Sequence, residues 1–481
     1  METNRLPSLD EVFSPQGVAI VGVSGSGKLG FAEMILMAHM EIKTPKLYPV
    51  NPKYKKVFGI PCFSSVLEIP DRVDHVIVNI PANLVLDLLE QCAEKKVKSV
   101  HFFTAGFGES GEKDRADLEK RMLDIARRGN FRIIGPNCVG FYIPEAKTAN
   151  ILGVPYEHGP IGFLSQSGGH ASNLPAFGAS RGLRFSKVVS YGNALDVDEI
   201  ELLEYLADDA KTEIIGAYIE GLKDGQAFFK ALKSASGKKP VIVYKGGKTE
   251  AGQRAAHGHT ASMISSVDVF NAVCRQANAI EVDNIDQMID VMAIFRFLPS
   301  IPKSKNLILF GSGGGPSVLA GDEMESVGLT IPKFNEKTQS LLKSVLPVDG
   351  GIFINPLDTV NLVEPTAIEA ALDVFIDLPE VDMIVYHFGF HPIGMWGLGR
   401  FSNADYLGKL MRVMNQARKK TDKAVLLALR PPLDVTSLEE FLEVQKAFVE
   451  NGFPVFHSLG DLALAMNKVI NWAKSGENCL N

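Results

Sequence analysis

Cysteine is scarce in this 481-residue chain, and its five residues form no CxxC pair or other spacing typical of a metal site. They are Cys62, Cys92, Cys138, Cys274 and Cys479. Such sparse use argues against a disulfide scaffold and suits a reducing cytosol. No apolar run approaches the ~18 residues that a membrane helix requires. The N-terminal stretch METNRLPSLDEVF lacks the apolar core of a signal peptide. We therefore expect a cytoplasmic protein without a membrane partner.

An excess of basic charge is also missing, since 49 basic residues stand against 56 acidic ones and the net charge is -7. This balance gives no reason to expect nucleic acid as a partner. Apolar residues make up 46% and charged residues 22% of the chain, as in ordinary well-packed proteins. The length exceeds that of a single core and predicts about three domains.

Short apolar strands alternate with amphipathic helices along the chain, which predicts an α/β fold. We expect a Rossmann-like domain over residues 1–145, followed by flavodoxin-like domains over 155–298 and 304–481. Residues 142–160 show little periodicity and are interpreted as a connection. The last two predicted domains each open with a strand that runs into a Gly/Ser-rich turn and a helix, which hints that they are related.

The stretch GVSGSGKLG, residues 22–30, joins a predicted strand to a predicted helix and fits two phosphate-binding patterns. The Walker A pattern lacks its final hydroxyl, because Leu29 stands where Ser or Thr would hold Mg²⁺. The dinucleotide pattern expects an acid at the end of the second strand, where this chain has Asn51 followed by Lys53. A basic rim suits a ligand with a ribose phosphate, either NADP or coenzyme A, although lysines on a loop are more often simply solvated.

Three stretches of the second predicted domain carry anion-binding or reactive groups. The turn Ser165–Gly169 offers backbone N–H groups at a helix start. It could be an anion-binding site or an ordinary Ser N-cap. The stretch AAHGHTAS carries His257 and His259, which could be surface residues, zinc ligands or nucleophiles. Glu220 ends a buried strand and could fix the tautomer of a histidine, or be a solvated acid.

Five motifs of the first domain resemble the CoA-binding domain of the succinyl-CoA synthetase α subunit and of related NDP-forming acyl-CoA synthetases. They are GVSGSGK, PVNPKY, VIVNIPANLV, FFTAGFGESG and GPNCVG. The resemblance implies coenzyme A as the ligand, with the glycine loop at its diphosphate, Lys53 at its nucleotide end and residues 104–106 beside its pantetheine arm. The implied CoA-binding residues are Ser24, Gly25, Ser26, Gly27, Lys53, Pro81, Thr104, Ala105, Gly106 and Asn137.

The second domain resembles the phosphohistidine domain of the same family. The resemblance implies that His259 is the nucleophile and that Glu220 orients it. We expect no metal site, because no third and fourth ligand recur at metal spacing. The resemblance also implies that phosphate is held by Ser165, Gln166, Ser167, Gly168 and Gly169. The family usually has Gly after the His-Thr pair, where this chain has Ala261-Ser262, which would strain the loop by roughly 1 kcal/mol if a positive φ is needed. The stretches GSGGGPSVLAGDEME and NPLDT extend the resemblance to the third domain.

The resemblance implies the α subunit of an NDP-forming acyl-CoA synthetase, with ADP as the expected nucleotide. The reaction is acyl-CoA + NDP + phosphate ⇌ carboxylic acid + CoA + NTP, through an acyl phosphate and a phosphohistidine. No ATP-grasp segment of ~200 residues is recognisable, so we expect a separate β subunit that binds ADP or ATP with Mg²⁺ in an α2β2 assembly. The alternatives are a non-catalytic CoA-binding regulatory or scaffold protein and, third, an NADP-dependent oxidoreductase.

Overall fold

The computed structural model describes most of the chain and divides it into two compact units. Its backbone is described for residues 5–260, 266–311, 314–348, 350–359, 362–389, 404–432 and 435–479. One unit comprises residues 1–179 and 184–285, and the other comprises residues 180–183 and 286–481. No helix among the described residues combines the length and apolar character that a membrane span requires.

The first domain is built on a five-stranded parallel sheet with the order β2-β1-β5-β6-β7. Its elements are α1 (Leu9–Val12), β1 (Val18–Val21), α2 (Phe31–Glu41), β2 (Leu47–Val50), β3 (Lys56–Val57), β4 (Ile60–Pro61), β5 (His75–Val78), α3 (Val85–Lys95), β6 (Ser99–Phe102), α4 (Lys113–Gly129) and β7 (Arg132–Ile134). Single 3₁₀ turns lie at Ala82–Leu84 and Gly108–Ser110. The central strands are buried along their whole length, which explains their continuous apolar sequences, VAIV and HVIV. The strand order reverses between β1 and β5, which is where open α/β sheets bind ligands.

The helix α1 packs with the second domain's core rather than the first's. Leu9, Val12 and Phe13 are buried in the cluster that fills the second domain, and the Phe13 ring meets Phe141 edge-on at 5.4 Å. The boundary predicted from sequence places α1 in the first domain. The difference arises because three apolar side chains on one helical turn find their buried surface far along the chain.

The second domain has a seven-stranded sheet with the order β14-β13-β12-β10-β11-β8-β9. Its elements are β8 (Phe141–Ile143), β9 (Thr148–Ala149), β10 (His158–Ser165), α5 (Gly168–Ala179), β11 (Phe185–Ser190), α6 (Glu199–Asp208), β12 (Ile214–Ile219), α7 (Gly225–Ser236), β13 (Val241–Lys245), α8 (Glu250–Thr260), α9 (Val267–Gln276) and β14 (Ile280–Val282). The order reverses between β10 and β12. The predicted connection over 142–160 contains β9 and the ends of β8 and β10, and β8 extends the sheet by antiparallel pairing with β11.

The second unit contains a six-stranded sheet with the order β16-β17-β15-β18-β19-β20. Its elements are α10 (Ile285–Phe297), β15 (Leu307–Gly311), α11 (Gly314–Ser326), α12 (Glu336–Val345), β16 (Ile352–Phe353), β17 (Leu357–Asp358), α13 (Pro365–Phe375), β18 (Met383–Gly389), α14 (Ala404–Lys420), β19 (Ala424–Arg430), α15 (Val435–Glu450), β20 (Val455–Phe456) and α16 (Leu459–Cys479). Asn355 of the NPLDT motif binds the backbone of β15, accepting from Leu309 N (3.0 Å) and donating to Leu307 O (2.8 Å).

The three sheets share one topology in their parallel strands. In chain order within each domain, the parallel strands stand as 2-1-3-4-5, the doubly wound order of flavodoxin-like proteins. The predicted α/β fold class is confirmed. The predicted domain boundaries stay predictions, and the structure adds that α10, which the sequence boundary at 298 assigns to the second domain, lies almost wholly in the second unit.

Candidate active site

The glycine loop after β1 meets the loop after β5 where the strand order of the first sheet reverses. Gly22 has a φ of +99°, and a Cβ atom at this position would lie 2.3 Å from the carbonyl oxygen of Asn79. Only glycine allows both the backbone conformation and this close approach. Gly22, the first glycine of the Walker A pattern, is therefore required where the loop after β1 packs against the loop after β5.

The interior of this loop is held by its own polar groups. The Glu33 carboxylate accepts from the backbone N–H groups of Ser24 (2.5 Å) and Gly30 (2.8 Å). The Ser24 hydroxyl donates to Ser26 Oγ (2.8 Å) and accepts from Ser26 N (3.1 Å). Among the described residues, Gly25 and Gly27 have no protein acceptor for their N–H groups. Both positions are exposed, so their N–H groups are accessible to a ligand from solvent.

The rim of the loop contains the aromatic and basic groups that follow β2. The ring of Tyr54 lies so close to Gly25 that a Cβ atom there would be 2.7 Å from it. Asn51 donates from its side chain to Val23 O (2.6 Å) and accepts from Lys53 N (3.0 Å). Its amide is thus committed to loop structure, and the exposed Lys53 side chain remains for a ligand.

The remaining predicted CoA-binding residues come together at the same edge of the first sheet. The Thr104 hydroxyl donates to Ile80 O (3.1 Å), next to Pro81, and the Asn137 N–H donates to Thr104 O (3.1 Å). Gly106, with a φ of +94°, donates its N–H to Glu109 (2.5 Å). The loops after β5, β6 and β7 are therefore linked to one another. Ala105 lies exposed between Thr104 and Gly106.

The turn after β10 begins α5, and glycine is required there for space. A Cβ atom at Gly168 would lie 2.6 Å from Cγ2 of Val139. Ser167 caps the helix by accepting from His170 N (3.3 Å), and the buried Ser165 hydroxyl donates to Ser167 O (2.7 Å). Within the described part of the chain, the N–H groups of Gly168 and Gly169 have no protein acceptor. They are free at a helix start, which is what an anion requires.

Gln166, a predicted phosphate-binding residue, is joined to the strand end that carries Glu220. Its backbone N–H donates to Tyr218 O (3.2 Å), and its side-chain NH₂ donates to Gly221 O (3.0 Å). Its side-chain oxygen accepts from the N–H groups of Glu220 and Gly221. The residue is 8% exposed, and these hydrogen bonds hold the backbone at Glu220 and Gly221. Its contact with phosphate stays a prediction.

Glu220 is held from a second direction by Lys245. The Lys245 ammonium donates to the carbonyl oxygens of Glu220 (2.6 Å) and Gly246. Burial lowers the pKa of Lys245, and the charge of Glu220 opposes that effect. The Glu220 Oε2 atom is itself buried and has no hydrogen-bond partner among the described residues. The carboxylate therefore has an acceptor available for an incoming N–H group.

His259, the predicted nucleophile, lies on α8, which follows β13 through Gly246 and Gly247. The side chains of His257 and His259, like Ala261-Ser262, lie outside the described residues. The backbone of α8 lies beside the Gly108–Ser110 turn of the first domain. This turn follows directly on residues 104–106, so the helix that bears His259 is next to the predicted pantetheine site.

The run SYGNALDVDE ties the two domains together, a role the sequence did not reveal. Asn193 donates to Glu109 (2.5 Å), the residue that holds Gly106. Asp196 receives two hydrogen bonds from the Arg132 guanidinium, at 2.8 and 3.3 Å. Asp198 caps α6 by accepting from two backbone N–H groups. These acids and amides order the loops around the site rather than reacting.

Sequence reasoning missed Glu33 and the hydrogen bonds that join the Gln166 side chain to the backbone at Glu220 and Gly221. The acid three residues after Gly30, at the start of a helix, is a capping signal that could have identified Glu33. No local signal identifies Gln166, because its partners lie 54 and 55 positions away. Among the described residues, no group of three or more His, Cys, Asp or Glu side chains could hold a metal ion.

Comparison with known proteins matches both domains of the first unit to family models. Residues 16–144 match a CoA binding domain and residues 158–295 match a succinyl-CoA ligase like flavodoxin domain. The chain is 32% identical to acetate–CoA ligase (ADP-forming) II subunit alpha of Pyrococcus furiosus, covering 97% of this chain and 98% of that one. It is 36% identical to acetate–CoA ligase (ADP-forming) I of Archaeoglobus fulgidus over 78% of this chain.

The chain spans 54% of the length of the Archaeoglobus fulgidus relative. Its fold matches a solved structure, the dinucleotide forming acetyl-coenzyme A synthetase 1 of Ca. Korarchaeum cryptofilum in complex with phosphate and ADP. The TM-score is 0.79 at 25% identity, and 98% of each chain is covered.

Proposed function

The chain belongs to the family of ADP-forming acyl-CoA synthetases, and we propose that it acts as the CoA-binding, phosphohistidine-bearing α subunit of such an enzyme. The observation that supports this most directly is the position of α8. The helix that bears His259 lies beside the turn Gly108–Ser110 of the CoA-binding domain, so a thioester bound there would react next to the histidine.

The reaction begins with the thioester. A phosphate oxygen attacks the acyl carbon, the C–S bond breaks, and CoA leaves as a thiolate that takes up a proton. Gly25 and Gly27 bind the CoA diphosphate through their amides, Lys53 binds its nucleotide end, and residues 104–106 flank the pantetheine arm. Binding at several loops fixes the thioester for attack, and such positioning is a large share of catalysis in group transfer.

The phosphoryl group then moves to His259. A ring nitrogen attacks phosphorus, the P–O bond to the acyl group breaks, and the carboxylic acid leaves. Glu220 accepts the other ring N–H and so keeps the attacking nitrogen unprotonated. The free amides of Gly168 and Gly169 stabilise the phosphoryl charge, as donors at a helix start do.

In the last step, an ADP oxygen attacks the phosphohistidine, the N–P bond breaks and ATP forms. We propose that ADP is bound by a separate ATP-grasp β subunit in an α2β2 assembly. Support comes from the Pyrococcus furiosus relative, which is named as an alpha subunit and matches this chain over nearly all of both lengths. Mg²⁺ bound with the nucleotide would neutralise phosphate charge during transfer. We place the enzyme in the cytoplasm.

Labelling with ³²P-phosphate tests the nucleophile. The protein, purified together with its partner, is incubated with acetyl-CoA and labelled phosphate in the absence of ADP. We expect an acid-labile, base-stable label that disappears in His259→Asn and persists in His257→Asn, the matched change two residues away on the same helix. Equal labelling of the wild type and His259→Asn would place the nucleophile elsewhere. Absence of any label would favour a CoA-binding protein without this chemistry.

A further inference from the structure

Tyr218 is a buried residue at the candidate site that the motifs do not single out. It lies on β12 two positions before Glu220, so both side chains project from the same face of the sheet. It is 7% exposed. Its strand neighbour on β13 is Tyr244, and the two ring centroids are 5.1 Å apart.

The Tyr218 ring is fixed by aromatic neighbours from two elements. Tyr244 contacts it from β13, and His170 contacts it from the first turn of α5 with ring centroids 4.2 Å apart. Such aromatic pairs stabilise one orientation of a ring. The direction of the Tyr218 hydroxyl is therefore set by packing and does not depend on a ligand.

The hydroxyl lies beside the backbone of Gly246, and so does the Glu220 side chain. A Cβ atom at Gly246 would lie 2.4 Å from the Tyr218 hydroxyl oxygen and 3.3 Å from Cγ of Glu220. Both side chains therefore converge on one glycine. The missing side chain at position 246 leaves the space in which the phenol and the carboxylate approach each other.

The protonation state of Tyr218 suits a donor. Burial raises the pKa of the Tyr218 hydroxyl, and the charge of Glu220 and hydrogen bonding with its carboxylate raise that pKa further. The phenol therefore keeps its proton throughout the neutral range and is available as a donor to the nearby carboxylate. The second carboxylate oxygen, Oε2, remains without a partner among the described residues.

We propose that Tyr218 is a positioning residue whose hydroxyl holds one oxygen of Glu220, so that Oε2 is presented to the reacting histidine. This inference rests on the proposed function, in which Glu220 orients His259. Gln166 and Lys245 fix the backbone of Glu220, and Tyr218 fixes the carboxylate. Together they leave the Glu220 carboxylate one direction in which to accept a hydrogen bond.

The test is Tyr218→Phe, which keeps the packed ring and removes only the hydroxyl. With the purified complex, ATP formation from acetyl-CoA, phosphate and ADP is measured across pH. We expect kcat to fall about 10- to 100-fold, the range for losing a hydrogen bond to a charged group, while KM for acetyl-CoA stays unchanged. The acidic limb of the kcat profile moves to higher pH, because the ionised carboxylate loses a donor.

Two further variants separate positioning from packing. Tyr244→Phe removes the same hydroxyl from the adjacent strand, and we expect its kcat to stay within about twofold of the wild type. Gly246→Ala pushes the Tyr218 hydroxyl away and should shift the pH profile as Tyr218→Phe does. If Tyr218→Phe and Tyr244→Phe have the same kcat and pH profile, the inference is wrong even when His259 labelling succeeds. If wild-type labelling fails, the proposed function and this inference fall together.

Discussion

The two turns that follow the first strand of their parallel sheets have the same topology and opposite construction. In the first domain, the loop of residues 22–30 is exposed from residue 25 onward, and its anchor, Glu33, comes from the adjacent helix. In the second domain, Ser165 and Gln166 are buried, and Gln166 anchors the turn to a strand 54 residues away. Under the proposed function, the first site must admit and release a large ligand, whereas the second must hold a reactive phosphoryl group without rearranging.

Replacing the anchor of each turn is the strongest way to break this comparison. Gln166→Leu leaves the Glu220 and Gly221 N–H groups and Gly221 O without their partner, and each unpaired buried group costs roughly 1–3 kcal/mol. We expect kcat for ATP formation to fall about 1000-fold. In the first loop, Glu33→Ala should act mainly on KM for acetyl-CoA, raising it about tenfold.

Gln166→Glu serves as the matched control, because it keeps an oxygen acceptor for both N–H groups and should lose less activity than Gln166→Leu. Thermal unfolding of each variant shows whether it remains folded. A wild-type kcat in Gln166→Leu would contradict the anchoring role of this side chain.

Low pH provides a further test of the first domain, because it contains three fully buried histidines, one each on α2, β5 and β6. The His39 ring is hydrogen-bonded to Thr44 Oγ1 (2.8 Å) and to Asn150 Oδ1 (3.0 Å). The ring centroids of His75 and His101 are 6.3 Å apart. Burial lowers the pKa of His39 and His101 to about 4 and holds the pKa of His75 well below its usual value. The unfolded chain therefore binds protons first, and stability present above pH ~6.5 is lost as pH falls.

We expect each of these histidines to contribute a loss of about 1.4 kcal/mol in the free energy of unfolding per pH unit between pH ~6 and 4.5. His39→Gln keeps a hydrogen-bonding amide and should reduce the loss by that amount. Urea unfolding at pH 7.5, 5.5 and 5.0 measures it. The control is His158→Gln at an exposed position, and an identical pH dependence in His39→Gln and the wild type would contradict the prediction.

The smallest expected effect is that of Gly27→Ala in the first loop. Gly27 has a φ of +81°, and a Cβ atom there would meet nothing within 4 Å, so the cost is backbone strain alone, about 1 kcal/mol. We expect KM for CoA to rise a few-fold in steady-state assays. Gly168→Ala drives a Cβ atom into Val139 and should be clearly more destabilising than Gly27→Ala. If Gly27→Ala were the more destabilising change, it would contradict the conclusion that Gly168 is needed for space and Gly27 for its positive φ.

Much of the candidate site could be predicted because it lies in local patterns. The family membership and the α/β fold class inferred from the motifs are confirmed by the comparisons. The roles of His259 and Glu220 and the CoA-binding residues stay predictions. The sequence could not show that α1 belongs to the second domain's core, nor that Asp196 binds Arg132 (2.8 Å), because both depend on surfaces that meet only after folding.

By itself, the sequence determined three series of strand, turn and helix, with glycines and hydroxyls at the turns where anions are predicted to bind. These features follow from periodicity and backbone preference over a few residues. Only the tertiary structure decided which side chains hold those turns: Gln166 on Glu220, Tyr218 beside it, and Asn193 on Glu109. The reason is that the partner of a buried polar group is set by how the sheet packs. Residues far apart in the sequence become partners, and local sequence patterns do not indicate which ones.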